Sequence, residues 1–226
     1  MSLHQYLVDR RLRSLLRLVV LIALALVVAG CQTVYYSVWE SLGREKRDLL
    51  RSNVEDVQKD QEEVGEQFED TLERIRALYG VDADKLEKHY DKAKSEYESS
   101  VARADALRER IDAVRTIGED LFEEWEEELG EISDASLRRR SAESLRVTRQ
   151  RFNDLETALA RTEAALDPPL QKFKDQVLFL KHNLNAQAVG SLRAETVSIE
   201  EDVDELLGSL RASIRSAERF IADLPE

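Results

Sequence analysis

TEAALDPPLQKFKDQVLFLKHNLNAQA, residues 162–188, decides how this chain divides into helices. It contains Pro168 and Pro169, two of the chain's three prolines. Each proline removes a backbone donor and biases the residue before it away from the α region. Asp167-Pro168-Pro169 therefore reads as a hard break between one helix ending near residue 166 and another beginning near 169. Leu170, Phe173, Val177, Leu180 and Leu184 follow at steps of three and four, and the phase runs on through Ala188, Leu192, Thr196 and Ile199 to Ile221. This predicts a single helix over about 169–222. Gly190 marks a kink within it. Ser198 with Glu201 resembles a capping box, which would place a break there instead.

Working toward the N-terminus, Leu137, Leu145, Phe152, Leu155, Leu159 and Leu166 predict a third helix of about 33 residues, capped by Ser133. Before it, Leu86, Tyr90, Ala93, Tyr97 and Val101 open a stripe that continues to Trp125 and Leu129 at an average step near 3.6. It predicts a second helix of about 48 residues that ends at Gly130. A first helix, from about 34 to 79, carries Val38, Leu42, Leu49, Val54, Val57, Val64, Phe68, Leu72 and Ile75. Gly80 suits its C-terminal cap, and Asp82 or Asp84 suits the next N-cap. Three short reversals imply antiparallel neighbours, so the expected fold is all-α, an elongated, coiled-coil-like antiparallel bundle of long helices. On these boundaries the fourth helix overshoots the Gly130 turn by about 30 Å. The bundle would then lie along a membrane, or the fourth helix would bend near Gly190.

The membrane enters through the first 31 residues. LVVLIALALVVAGC, Leu18 to Cys31, is an apolar run preceded by Arg10, Arg11, Arg13 and Arg17 and closed by the chain's only cysteine. A basic segment, a short apolar segment and small residues at a cut site form a secretory signal. Val28-Ala29-Gly30-Cys31 resembles a bacterial lipobox, in which the cysteine is acylated and becomes the new N-terminus. The alternative is a retained anchor, but Leu18 to Val28 is about half the roughly 20 residues a spanning helix needs. The expected organisation is a signal peptide, 1–30, and a lipid-anchored helical domain, 31–226. Gln32 after the cysteine, where an Asp would retain the protein at the inner membrane, points to the periplasmic face of the outer membrane. Tyr35, Tyr36 and Trp39 suit a headgroup interface or a packed helix contact.

Charge narrows the partners. The whole chain carries −13; without residues 1–30, which hold Asp9 and four arginines, 45 acids face 29 bases, a net charge of −16. Nucleic acid is disfavoured, because phosphate binding needs a basic face. Acylation rather than adsorption is the expected source of membrane attachment. No catalytic residues are assigned. His89 and His182 lack the Glu three residues before them that di-iron bundles use, and neither a Gly-x-x-x-x-Gly-Lys loop nor an HExxH motif is present. The reading is non-enzymatic, without metal or cofactor.

WESLGREKRD (Trp39–Asp48), LFEEWEEEL (Leu121–Leu129), SLRRRS (Ser136–Ser141) and DQVLFLKHNLNAQA (Asp175–Ala188) together resemble the bacterial domain-of-unknown-function family 2959. The resemblance implies a helical lipoprotein, mostly of Gram-negative bacteria, with no established activity. A loose "DNA repair ATPase" label attached to some members would require the phosphate loop this chain lacks. Two function classes follow. One is a structural spacer or protein-docking adaptor in the periplasm, with an envelope protein as partner. The other is a binding module for a small ligand, lipid or cation. Its candidate site is the polar group Lys181, His182, Asn183 and Asn185, read either as a recognition spot or as a register-setting Asn in a packed seam. The remaining candidates are Arg138, Arg139 and Arg140. They follow an acidic run, Glu119 to Glu128, across the Gly130 turn, and both placements oppose the helix dipole. A turn centred on Glu131 and Ile132 sets Glu124 level with Arg139 and Glu123 level with Arg140, which predicts a charge clamp across the hairpin. Otherwise the arginines are solvated or engage a partner.

Overall fold

Leu50, Val54, Val57, Val64, Phe68 and Ile75 recur at helical spacing, and in the computed structural model all are buried. The structure describes residues 45–80, 84–185, 189, 192 and 196–224. The expected signal segment, Cys31, Gln32, Tyr35, Tyr36, Trp39, Asp82 and the Gly190 kink lie outside those residues. The chain separates into two compact units, Met1–Lys46 and Arg47–Glu226, and the second holds the bundle. The described residues form four long helices and no strand. They are α1 (45–77, followed by a 3-10 turn, Leu78–Gly80), α2 (Leu86–Glu131), α3 (Ala135–His182) and α4 (Thr196–Asp223).

Cross-helix bonds set the topology. Thr71 Oγ1 lies 2.8 Å from Ser100 Oγ and Arg110 pairs with Asp60 at 3.1 Å, so α2 runs back along α1. Arg108 pairs with Asp167 at 2.7 Å and Arg149 with Glu126, so α3 runs back along α2. Lys172 pairs with Asp202 at 2.6 Å and Arg151 with Asp223 at 3.2 Å, which lays α4 against α3. Arg76 pairs with Glu200 at 2.6 Å, and Gln61 Nε2 donates to Ser213 Oγ at 2.8 Å, closing α4 on α1. The result is an up-down-up-down four-helix bundle around one apolar core. Exposed pairs contribute only about 0–1 kcal/mol each, so burial holds the bundle and the pairs set its register.

The proline pair is not a break. α3 passes through Pro168 and Pro169 and continues to His182, 48 residues in all. Each proline leaves a carbonyl one turn back without its helical donor, at a cost of about 3 kcal/mol or more. Against that stands an unbroken seam of buried side chains: Leu166, Pro169, Leu170, Phe173, Val177 and Leu180. At about 1.5–3 kcal/mol per large apolar side chain, keeping them in one register outweighs the local penalty. The Phe173 ring lies 5.9 Å from that of Phe68 and ties this stretch to α1. The fourth helix correspondingly begins at Thr196, close to the Ser198–Glu201 boundary and not at 169.

Moving residues 169–182 into α3 reverses the predicted length mismatch. The Arg151–Asp223 pair and the Phe152–Phe220 ring contact place the end of α4 level with α3 near residue 149. The α2–α3 hairpin continues about 20 Å past that level, at 1.5 Å per residue. Other boundaries shift by one residue. α2 ends at Glu131, one past Gly130. Its N-cap is Lys85, without a side-chain cap bond, and Asp84 is exposed in the preceding turn. Leu49, expected in the α1 stripe, is 50% exposed, and Leu50 takes the buried place.

The third helix is capped by Asp134, not Ser133. The Asp134 carboxylate accepts from the backbone N–H of Ser136 at 2.8 Å and of Leu137 at 2.9 Å. The bond from Leu137, then those from the Ser136 hydroxyl and backbone, holds this carboxyl below its ordinary range. A depressed folded pKa means the cap contributes fully above the ordinary carboxylate pKa and is lost as pH falls through the folded value. Asp134→Ala should therefore melt below the wild type at neutral pH, with the gap closing in acid. Parallel thermal melts across that range check it; a gap that widens in acid would contradict the cap.

Candidate functional site

The LKHNLNA motif proves to be the end of a helix. The Asn183 backbone N–H donates to Leu180 O and Phe179 O, both at 3.2 Å, and its side-chain amide donates to Phe179 O at 3.0 Å. Asn185 N–H returns to Asn183 O at 2.8 Å and completes the reversal. Asn residues favour such local backbone bonding over helix continuation. Lys181 and His182 occupy the last turn, where cations complement the dipole. Lys181, His182, Asn183 and Asn185 are all exposed. The packed, register-setting Asn is thus corrected: these residues stop α3, whose last buried side chain is Leu180.

Beneath this turn lies a polar contact that sequence reasoning missed. Thr196 Oγ1 donates to Tyr79 Oη at 2.6 Å, and Tyr79 Oη donates to Gln176 Oε1 at 3.3 Å. The three residues join α4, the turn after α1, and α3. Gln176 is 3% exposed. Its spacing was the available signal: it sits three after Phe173 and four before Leu180, in phase with the core. On the neighbouring α2, burial pushes the Tyr97 hydroxyl up, and the carboxylates of Glu98 and Asp175 push it further.

The second candidate region is the tip of the α2–α3 hairpin. Trp125 Nε1 donates to Ser141 Oγ at 2.9 Å and fixes the two helices against each other there. Arg138, Arg139 and Arg140 are exposed just after the Asp134 cap. Arg139 Nε folds back onto Ala135 O at 3.2 Å. Among the described residues none of the three arginines lies within ion-pair distance of the acidic run, so the predicted clamp does not form. Instead Glu126 pairs further along with Arg149, whose guanidinium also sits 5.3 Å from the Phe122 ring centroid. Its stacking on an aromatic face favours Arg149 as that partner.

Among the described residues, no group of three or more His, Cys, Asp or Glu side chains is placed to hold a metal ion. No described helix is long and apolar enough to cross a membrane.

The profile of a family described as a protein of unknown function (DUF2959) matches residues 35–224. The chain belongs to the DUF2959 family. The match covers all four helices, the hairpin tip and the Asn-capped turn, so the DUF2959 domain and the bundle are the same object. It begins four residues after Cys31. No curated protein sequence matches this DUF2959 chain.

Proposed function

We propose that this protein is a non-enzymatic cell-envelope lipoprotein, anchored through Cys31 to the periplasmic face of the outer membrane, that acts as a spacer or protein-docking adaptor. The observation that carries the docking reading is the hairpin tip. It extends about 20 Å past the end of α4 and presents Arg138, Arg139 and Arg140 to solvent. Three cations at a helix N-terminus are locally unfavourable, and an acidic surface on a partner protein would relieve that. The bundle, closed by one apolar core, gives the tip a rigid base. The anchor itself rests on Leu18 to Cys31 and its flanking arginines. The alternative ligand site at Lys181 to Asn185 is less supported, since those residues serve the end of α3.

The test combines both parts. Cys31→Ser should abolish palmitate labelling and leave the precursor unprocessed. In-cell crosslinking with mass spectrometry should capture one dominant envelope protein with the wild type. Reversing Arg138, Arg139 and Arg140 to Glu should remove that crosslink while the helical circular dichroism and melting temperature stay close to wild type. Undiminished crosslinking by the triple variant would overturn the tip as the docking surface; undiminished labelling of Cys31→Ser would overturn the anchor.

A further inference from the structure

A groove of about 450 Å3 runs between α3 and α4, and its polar lining is Arg151, Asp154, Thr157, Arg161, Ser216, Arg219 and Asp223. A second hollow, about 310 Å3, lies toward Pro168, and there Arg161 shares the lining with Asp202 and Glu205. Small residues, Ala158 and Ala212 in the first and Ala164, Ala165 and Ser209 in the second, leave the space.

The register makes two of the arginines converge. The Arg151–Asp223 pair and the Phe152–Phe220 contact set Thr157 level with Ser216 across the seam. Helical side chains lean toward their own N-terminus. In antiparallel helices, Arg161, one turn beyond Thr157, and Arg219, nearly one turn beyond Ser216, therefore lean toward the same level from opposite sides. Arg219 shows that lean, with its Nε on Arg215 O at 3.1 Å. Neither arginine has a carboxylate of the described residues within ion-pair distance, in a chain where 46 acids outnumber 33 bases. Of the groove's two carboxylates, Asp223 pairs with Arg151 at 3.2 Å and Asp154 accepts from the Gln150 amide at 3.4 Å, so three guanidinium groups face two carboxylates.

We propose that the α3–α4 groove is an anion site that binds a phosphate group between Arg161 and Arg219, with the Ser216 hydroxyl as a further donor and Arg151 held at its edge by Asp223. Guanidinium forks match phosphate oxygens in pairs. The volume exceeds that of a bare ion and falls in the range of small-molecule sites, so the phosphate belongs to a small phosphorylated compound or to a lipid headgroup. This site is separate from the hairpin tip and does not depend on the docking reading.

The test titrates the purified full chain in neutral detergent with inorganic pyrophosphate in one arm and a short-chain phosphatidic acid in the other, followed by calorimetry and melting temperature. Saturable binding in at least one arm is expected, with a rise in melting temperature. Binding of pyrophosphate identifies a soluble phosphate as sufficient; binding of phosphatidic acid alone identifies a headgroup. Arg161→Ala and Arg219→Ala should each weaken binding about tenfold or more without moving the ligand-free melting temperature, while Arg138→Ala at the hairpin tip leaves affinity unchanged. No saturable binding in either arm, or wild-type affinity in both groove variants, would overturn the site.

Discussion

Leu107→Asp is expected to lower stability by about 4 kcal/mol or more. Leu107 is fully buried, midway along α2 and flanked in the seam by Ala104 and Ile111, which are also fully buried. A carboxylate there loses its water without gaining a partner. For a unit of this size each kcal/mol moves the melting temperature by about 2–4 °C, so the fall should exceed about 8 °C. The sign of the pH dependence follows from the same burial. The introduced carboxyl is easier to bury neutral, so its folded pKa lies above the unfolded value and the deficit against wild type should shrink as pH falls through it. Glu126→Gln is the control. It removes one side of an exposed pair with Arg149 and should cost no more than about 1 kcal/mol. Equal losses from the two substitutions would mean the seam does not run through Leu107.

Gly118→Ala should also destabilise, against the usual helix preference. In an exposed helix interior, Ala is better than Gly by about 1 kcal/mol. At Gly118 a Cβ would stand 2.2 Å from Phe152 Cζ and 2.7 Å from Cε1 and Cε2. That ring cannot simply swing aside. It is edge-on to Phe122 at 5.3 Å and in contact with Phe220 at 5.6 Å, so three helices hold it. Overpacking costs about 1–3 kcal/mol, occasionally more, and here it should exceed the propensity gain, for a net loss of about 1–2 kcal/mol. Combining Gly118→Ala with Phe152→Leu should recover part of the loss caused by the first change alone, measured as coupling in a double-mutant cycle. Gly208→Ala serves as the opposite case: a Cβ there meets nothing within 4 Å, and stability should hold or rise. A Gly118→Ala protein as stable as wild type would mean the aromatic cluster yields freely.

These two sites mark where sequence reading works and where it stops. The α2 stripe that contains Leu107 was legible from its period alone, and the Gly130 reversal from one glycine followed by capping residues. The proline pair misled because a local rule was set against a tertiary one. Leu166 to Leu170 is a step of four and Leu170 to Phe173 a step of three, so the apolar phase never faltered there; packing decided, and the helix continued. The real stop came fifteen residues later, at Asn183 and Asn185, where the phase alone gave no warning because Leu184, Ala188 and Leu192 keep it. Polar side chains inside the seam were the other blind spot. Gln61 and Gln176 are buried, yet their type suggests solvent, and only their spacing marks them as interior. The charge clamp failed for a related reason. Matching residues by level across a turn ignores the lean and reach of arginine side chains, which let Glu126 find Arg149. The α3–α4 groove could not be found from sequence, since it requires knowing that residues 158–165 face residues 209–216.

The seam between α1 and α4 brings together the two ends of the described bundle chain. Arg51 Nη2 meets Leu224 O at 3.5 Å, across 173 positions of chain. The α2–α3 hairpin, by contrast, is sealed by neighbours close in sequence, such as Trp125 and Ser141. Local contacts close quickly and distant ones slowly, because loop entropy has to be overcome first. As the chain emerges, α1 therefore presents Val54, Val57 and Phe68 with one flank uncovered until the 28 residues of α4 arrive. On the proposed export route, where the chain would cross a membrane unfolded, docking of the C-terminal helix is the step that ends the vulnerable interval. A chain truncated before Thr196 would leave that flank open to chaperones and proteases, however well its first three helices had formed.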